Sequence, residues 1–248
     1  MKRYYWIFLS LFLYLVCAGI GITVKSTYVD VWAAVRVQSE GEVQYIFRGD
    51  RPSNPLSLNA SAQKILDSAE VVVLAHAEQE SSYEGNSFLT EMTVQKILKN
   101  DGTLNGDRFT VCEPITIDDK KAKGSSKVSY LICAGSTNGM STNGGAFSRT
   151  KIVPGQNYVL FLRHFLPEGW NPNPPMYTLI DSPYAKLLPD STVTAETYQT
   201  PVQEDDSYQI WSMPFSKSLS YEILLQSRAE QTLFFQRKQE LLSLLKLR

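Results

Sequence analysis

The chain has 248 residues, with 24 basic and 25 acidic side chains and a formal net charge of −1. Its apolar fraction of 43% is that of a globular protein able to bury a sizeable core. The near-cancellation of charge excludes a basic footprint for nucleic acid, and the lack of long like-charge runs excludes a polybasic patch.

The first segment carries a targeting signal. Lys2 and Arg3 precede an uncharged stretch from Tyr4 to Val24, which Lys25 ends. As a helix at about 1.5 Å per residue, the stretch would reach roughly 30 Å, enough to cross a bilayer. Tyr4, Tyr5 and Trp6 sit where an aromatic belt would lie, and the flanking positive charges predict a cytoplasmic N-terminus with everything after Lys25 outside. Two readings follow: an uncleaved single-pass anchor over residues 4–24, or a signal peptide cut near Cys17-Ala18-Gly19. Val16 before Cys17 argues against lipidation.

Next, Val29, Val31, Val35 and Val37 recur at even spacing, and Val43, Tyr45 and Phe47 alternate after Ser39-Glu40-Gly41. This spacing predicts a hairpin over 29–48, closed by the Pro-containing break at 51–55. A short helix capped by Asn59 or Ser61 precedes the apolar run Val71–Ala75, which reads as a central strand. Residues 88–98 form a long alternating strand, Lys99-Asn100-Asp101-Gly102 a turn, and 107–112 the next strand. The polar residues 118–127 read as a loop, and Val128–Cys133 as a strand. The repeated Ser-Thr-Asn-Gly at 136–139 and 141–144 reads as a flexible loop.

Residues 158–162 follow the turn at Val153-Pro154-Gly155 and make a strongly apolar strand, with a further strand over 176–180. The stretch 189–207 is polar and predicts no strong element. Residues 219–247 lack Gly and Pro and read as one amphipathic helix, with Tyr221, Leu225, Ala229 and Leu233 on a shared face.

The residues that could carry chemistry are few. The chain holds two histidines, His76 and His164, while the cysteines form no CxxC or Cys/His cluster. His76 reads as a polar residue at a barrel rim, or as one with a metal or catalytic role, such as a general base near Glu78 and Glu80. The acidic pairs Asp118-Asp119 and Asp205-Asp206 lie in polar surroundings, whereas paired catalytic carboxylates rise across a cleft. Cys112 and Cys133 fall in the part predicted to be exported. They read either as a disulfide, which contributes about 3 kcal/mol in the chain-entropy model, or as two unpaired buried thiols. Trp170 and Tyr184, with Tyr177, Tyr198, Tyr208 and Trp211, read as an exposed binding surface or as fillers of small cores beneath loops. No catalytic, cofactor or metal site is predicted.

The order of segments carries a resemblance. A helix ending Leu66-Asp67-Ser68-Ala69-Glu70 runs into Val71–Ala75, followed by Glu91–Lys99, Gly106–Val111, and Val153–Leu162 after Gly144-Gly145. Over roughly 60–185 this resembles the exported bacterial relatives of the netrin-like, TIMP-like domain, an OB-fold barrel. The resemblance implies a partner-binding fold. The mature N-terminal cysteine that inhibitor members insert into metalloproteinases has no counterpart at the start of this region. The expected fold is therefore mainly β with flanking helices: an OB-like, partly closed antiparallel barrel, an N-terminal membrane helix and a C-terminal amphipathic helix. The expected organisation is a membrane segment at 1–25, a hairpin and linker at 26–58, the OB-like domain at 59–185, and a polar linker with helix at 186–248. The expected role is a membrane-tethered or secreted extracytoplasmic binding or scaffold module with a protein or envelope partner. An exported hydrolase using His76, His164 or Asp181 is the alternative.

Overall fold

The structure is a computed structural model describing residues 10, 12–14, 16–17, 30–38, 43–49, 58–121, 128–134, 147–165, 173–190, 195–197, 203–204, 209–225 and 227–247. In chain order the elements are α1 (Val31–Arg36), β1 (Val43–Gly49), α2 (Ala62–Ser68), β2 (Val71–Ala77), β3 (Ser82–Glu84), β4 (Ser87–Asn100), β5 (Arg108–Glu113), β6 (Ile115–Lys121) and β7 (Val128–Ala134). They continue with β8 (Phe147–Arg149), β9 (Asn157–His164), β10 (Met176–Leu179), β11 (Lys186–Leu187), β12 (Ala195–Thr197), β13 (Gln203–Glu204), β14 (Gln209–Pro214), α3 (Phe215–Ser218), β15 (Ile223–Leu225) and α4 (Arg228–Leu244). Residues 1–37 and 38–248 form two separate compact units.

Five strands of the second unit close on themselves in the order β2-β4-β5-β10-β9, with β9 returning to β2. The sequence predicts a partly closed, antiparallel barrel. The barrel instead closes, because β10 pairs antiparallel with β9 and parallel with β5. Closure leaves no free edge among these strands. The apolar run Val71–Val73 in β2 is fully buried, as a strand covered on both faces should be. β4 is 14 residues long, and two register shifts along its ladder with β2 bend it around the barrel. Ser61 caps α2 by accepting the Lys64 N–H (3.2 Å), and Lys99 Nζ donates to the carbonyls of Leu66 (2.8 Å) and Ala69 (2.6 Å) at its far end.

A second sheet runs β13-β14-β1-β7-β6. β1 lies inside it, antiparallel to β14 and parallel to β7. The predicted hairpin over 29–48 is therefore corrected. Residues 31–36 are a helix, because Asp30 accepts the Ala33 N–H (2.9 Å) and the buried Trp32 and Val35 stand three apart. The loop predicted at 118–127 is also corrected: Asp118 and Asp119 lie in β6, paired with β7. Beyond Lys121, residues 122–127 lie outside the described residues, as do the Ser-Thr-Asn-Gly repeats. β6 ends this sheet, and its Asp-Asp-Lys-Lys run suits a strand on an edge.

The third sheet, β12-β15-β8, corrects the long helix predicted at 219–247. Ile223, Leu224 and Leu225 are all fully buried as a strand. The helix starts only at the Ser227 capping box, where Glu230 N–H donates to the Ser227 hydroxyl and Ser227 N–H to the Glu230 carboxylate. Phe234, Leu241 and Leu242 of α4 join the barrel core with Tyr184 and Ile65. The helix is thus a wall of the core.

Among the described residues no helix is long and apolar enough to cross a membrane. Of the predicted segment 4–24, only Ser10, Phe12–Tyr14, Val16 and Cys17 are described. These are helical and exposed, and the rest of the segment lies outside the described residues.

Candidate functional site

Charged side chains buried at one end of the barrel are the least expected feature of the core. Glu113 ends β5 and is 2% exposed. Its carboxylate accepts the Ile152 N–H (2.9 Å) and faces Lys186 Nζ of β11 (3.4 Å). Lys186 also donates to the Thr150 carbonyl and lies 5.6 Å from the Tyr158 ring centroid. Burial pushes the Lys186 ammonium below its usual range, and the Glu113 carboxylate opposes that shift. Lys151 reaches Glu80 (3.3 Å) and the Ile152 carbonyl (3.0 Å).

A second pair, Glu222 and Lys238, ties α4 to the segment before β15 at 2.9 Å with both side chains fully buried. The same carboxylate accepts the Leu188 N–H (3.1 Å). Between the pairs runs the strand end at 149–150. The Thr150 hydroxyl donates to the Tyr221 carbonyl, and the Arg149 guanidinium donates to the carbonyls of Ile180 (2.7 Å) and Ser182 (3.2 Å).

Above Glu222 a cleft of about 170 Å³ opens between the turn leading into β9, Leu188, and residues 219–222. Tyr158 lines it, and its hydroxyl accepts the Val153 N–H (3.0 Å). Burial raises the Tyr158 phenol well above its usual value, so it stays protonated at neutral pH.

The residues singled out by sequence do not gather in this place. His76 Nδ1–H donates to Asn157 Oδ1 (2.7 Å), which also accepts from Gln95 (3.1 Å). His76 pairs with Asn157 at one end of the β2–β9 ladder, and His164 stands seven residues along β9. At about 3.3 Å per residue, roughly 23 Å separates them, so they cannot serve one reaction centre together. The His164 ring packs on Tyr177 at 5.2 Å, and its backbone N–H donates to Glu70 (2.6 Å). Burial raises the Asp181 carboxyl, with Arg149 and Arg163 opposing. Among the described residues no group of three or more His, Cys, Asp or Glu side chains could hold a metal.

Tyr184 follows the core reading of the aromatic residues and corrects the exposed-surface one. It is fully buried, stacks on Phe234 with centroids 5.3 Å apart, and donates its hydroxyl to the Leu58 carbonyl (2.8 Å). A tyrosine beside a Pro-rich stretch looks exposed in sequence, but here a helix 50 positions downstream covers it. Tyr177 and Trp211 are buried as well, while Trp170, Tyr198 and Tyr208 lie outside the described residues. Cys112 is a buried free thiol whose pKa burial raises. The backbone of Cys133 stands opposite Thr116 in the second sheet, and its side chain lies outside the described residues. Sequence reasoning missed Glu113, Lys151, Lys186, Glu222 and Lys238. Lysine and glutamate are read as surface residues, and only the apolar neighbours of Lys186 and Lys238 hint otherwise.

Comparison with family models, curated proteins and solved structures yields no match to this chain.

Proposed function

We propose that the chain is an extracytoplasmic binding or scaffold module, tethered to the membrane through residues 4–24 or secreted after cleavage. The observation that carries this reading is how the barrel end spends its polar groups. Glu113, Glu222 and Thr150 are committed to partners inside the fold. The two histidines stand at opposite ends of β9, His76 across from Asn157 and His164 at its last residue. Such an end offers a shaped surface whose described carboxylates are held by partners within the fold.

Two further points support the reading. Numbering the barrel strands in chain order, their circuit is 1-2-3-5-4, with the third and fifth parallel, and this suits an OB-like barrel. The resemblance to the netrin-like, TIMP-like domain points the same way, toward partner binding. The Lys2-Arg3 flank and the uncharged 4–24 run support placing residues 26–248 outside the cytoplasm.

Crosslinking in intact cells, followed by identification of the attached species, tests this function. The expected result is one recurrent protein or envelope partner on the full chain. Failure to recover any recurrent partner, together with turnover of a small substrate by the purified chain, would favour the hydrolase.

A further inference from the structure

The cleft above Glu222 is built in a way that limits what it can hold. Three chain segments meet there, and hydrogen bonds fasten them together. Tyr158 holds Val153, Thr150 holds Tyr221, and Glu222 holds Leu188. The walls are therefore preformed, as ligand pockets usually are. Val153, Leu188 and Leu219 line it together with Tyr158 and Tyr221.

Size sets the first limit. The cleft measures about 170 Å³. A cavity of about 150 Å³ lined by apolar side chains takes benzene, so the volume suits a single six-membered ring. Charge sets the second. Among the described residues of the lining Glu222 is the one ionised side chain, and Lys238 already neutralises it from inside the core. Nearby, Lys217 lies over the Tyr221 ring at 5.9 Å and faces Glu196 at 3.5 Å, so those charges also offset each other. An ionised ligand would lose hydration here without gaining a free counter-charge.

Hydrogen bonding sets the third limit. Of the polar side chains in the lining, the exposed Gln156 amide and Ser220 hydroxyl make no bond among the described residues. The amide and the hydroxyl can meet a polar substituent on a ligand, whereas Val153, Leu188 and Leu219 offer it no side-chain partner. A sugar carries hydroxyls all round its ring, and those set against these apolar side chains would be buried unpaired.

From these limits we infer that the cleft is a binding site for a neutral aromatic ring bearing one polar substituent, of the phenol type. The inference rests on the binding reading above and names the ligand chemistry for it. The probe is p-cresol, titrated into isotope-labelled full-length chain while backbone amide shifts are followed. The expected result is saturating shifts at Gln156, Leu188, Ser220 and Tyr221, with glucose producing none. Leu219→Trp, which fills the cleft, should weaken p-cresol binding about tenfold or more. Ser220→Tyr, at an exposed position, should do the same if Leu219→Trp does not fold. Linear shifts that never saturate, shifts scattered over the barrel, unchanged affinity in a folded filled variant, or saturable glucose binding would each overturn the inference. Cellular crosslinking of the Ser220→Tyr chain separates the two claims. If p-cresol fails to bind and the partner is still recovered, the cleft assignment falls and the binding reading stands.

Discussion

Lys238→Met should be among the most damaging single substitutions in this protein. Lys238 and Glu222 are both fully buried, with Nζ 2.9 and 3.2 Å from the two carboxylate oxygens. Methionine fills much of the same volume, so packing changes little. What changes is the carboxylate, which loses its ammonium partner while the Leu188 N–H at 3.1 Å stays. Removing one member of a buried ion pair costs about 3–5 kcal/mol. Glu222→Gln combined with Lys238→Met removes the charge and keeps an oxygen for Leu188, so most of the loss should return. Arg108–Glu91 provides a contrast at 3.0 Å, because its side chains are 58% and 47% exposed. Arg108→Ala should therefore cost no more than about 1 kcal/mol. Urea unfolding of the purified variants, followed by tryptophan fluorescence, measures all three. A Lys238→Met variant within about 1 kcal/mol of the parent would refute the reasoning, as would a double variant no better than the single one.

Two other outcomes follow from the same core. Phe234→Ala removes the stacking partner of Tyr184 and leaves a cavity under α4, which should cost about 3–5 kcal/mol in the same assay. Tyr184→Phe loses only the bond to the Leu58 carbonyl and should cost about 1 kcal/mol, so equal losses would count against this packing. Asp181 gives a pH signature. Because burial raises its folded pKa, its stability increment is fully present below about 3.9 and is lost as pH rises through the folded value. Relative to Asp181→Asn, the parent should be most stable near the acid end and lose ground toward neutrality. The opposite slope would contradict the burial of this carboxyl.

Much of the barrel is legible in the sequence because its signals are local. β2 is an unbroken apolar run, β4 alternates, and β4 ends where Asn100 accepts the Gly102 N–H (2.9 Å) in the predicted turn. Gly155, with φ of +77°, makes the turn before β9 for the same reason that its Pro-Gly sequence suggests one. The second sheet is not legible, because β1 finds its partners at 128–134 and 209–214. Pairings so distant leave no periodic mark in either segment. Residues 31–36 fit both a strand period and a helical i, i+3 pair, and six residues are too few to decide between them. The buried ion pairs are hard to read because Lys186 and Lys238 differ from surface lysines only in their apolar neighbours, while their carboxylate partners lie far along the chain. Tyr184 fits a surface or a core reading because Asp181-Ser182-Pro183 precede it and apolar residues follow, while its cover comes from a distant helix.

The binding account is tested most directly by a chain carrying His76→Ala, His164→Ala and Asp181→Asn together, expressed in place of the parent. These are the three side chains that a hydrolase reading would use. The account predicts a folded protein that keeps its cellular role and is crosslinked to the same partner at the parent's yield. A folded triple variant that still captures the partner but no longer supports the cellular role would contradict it.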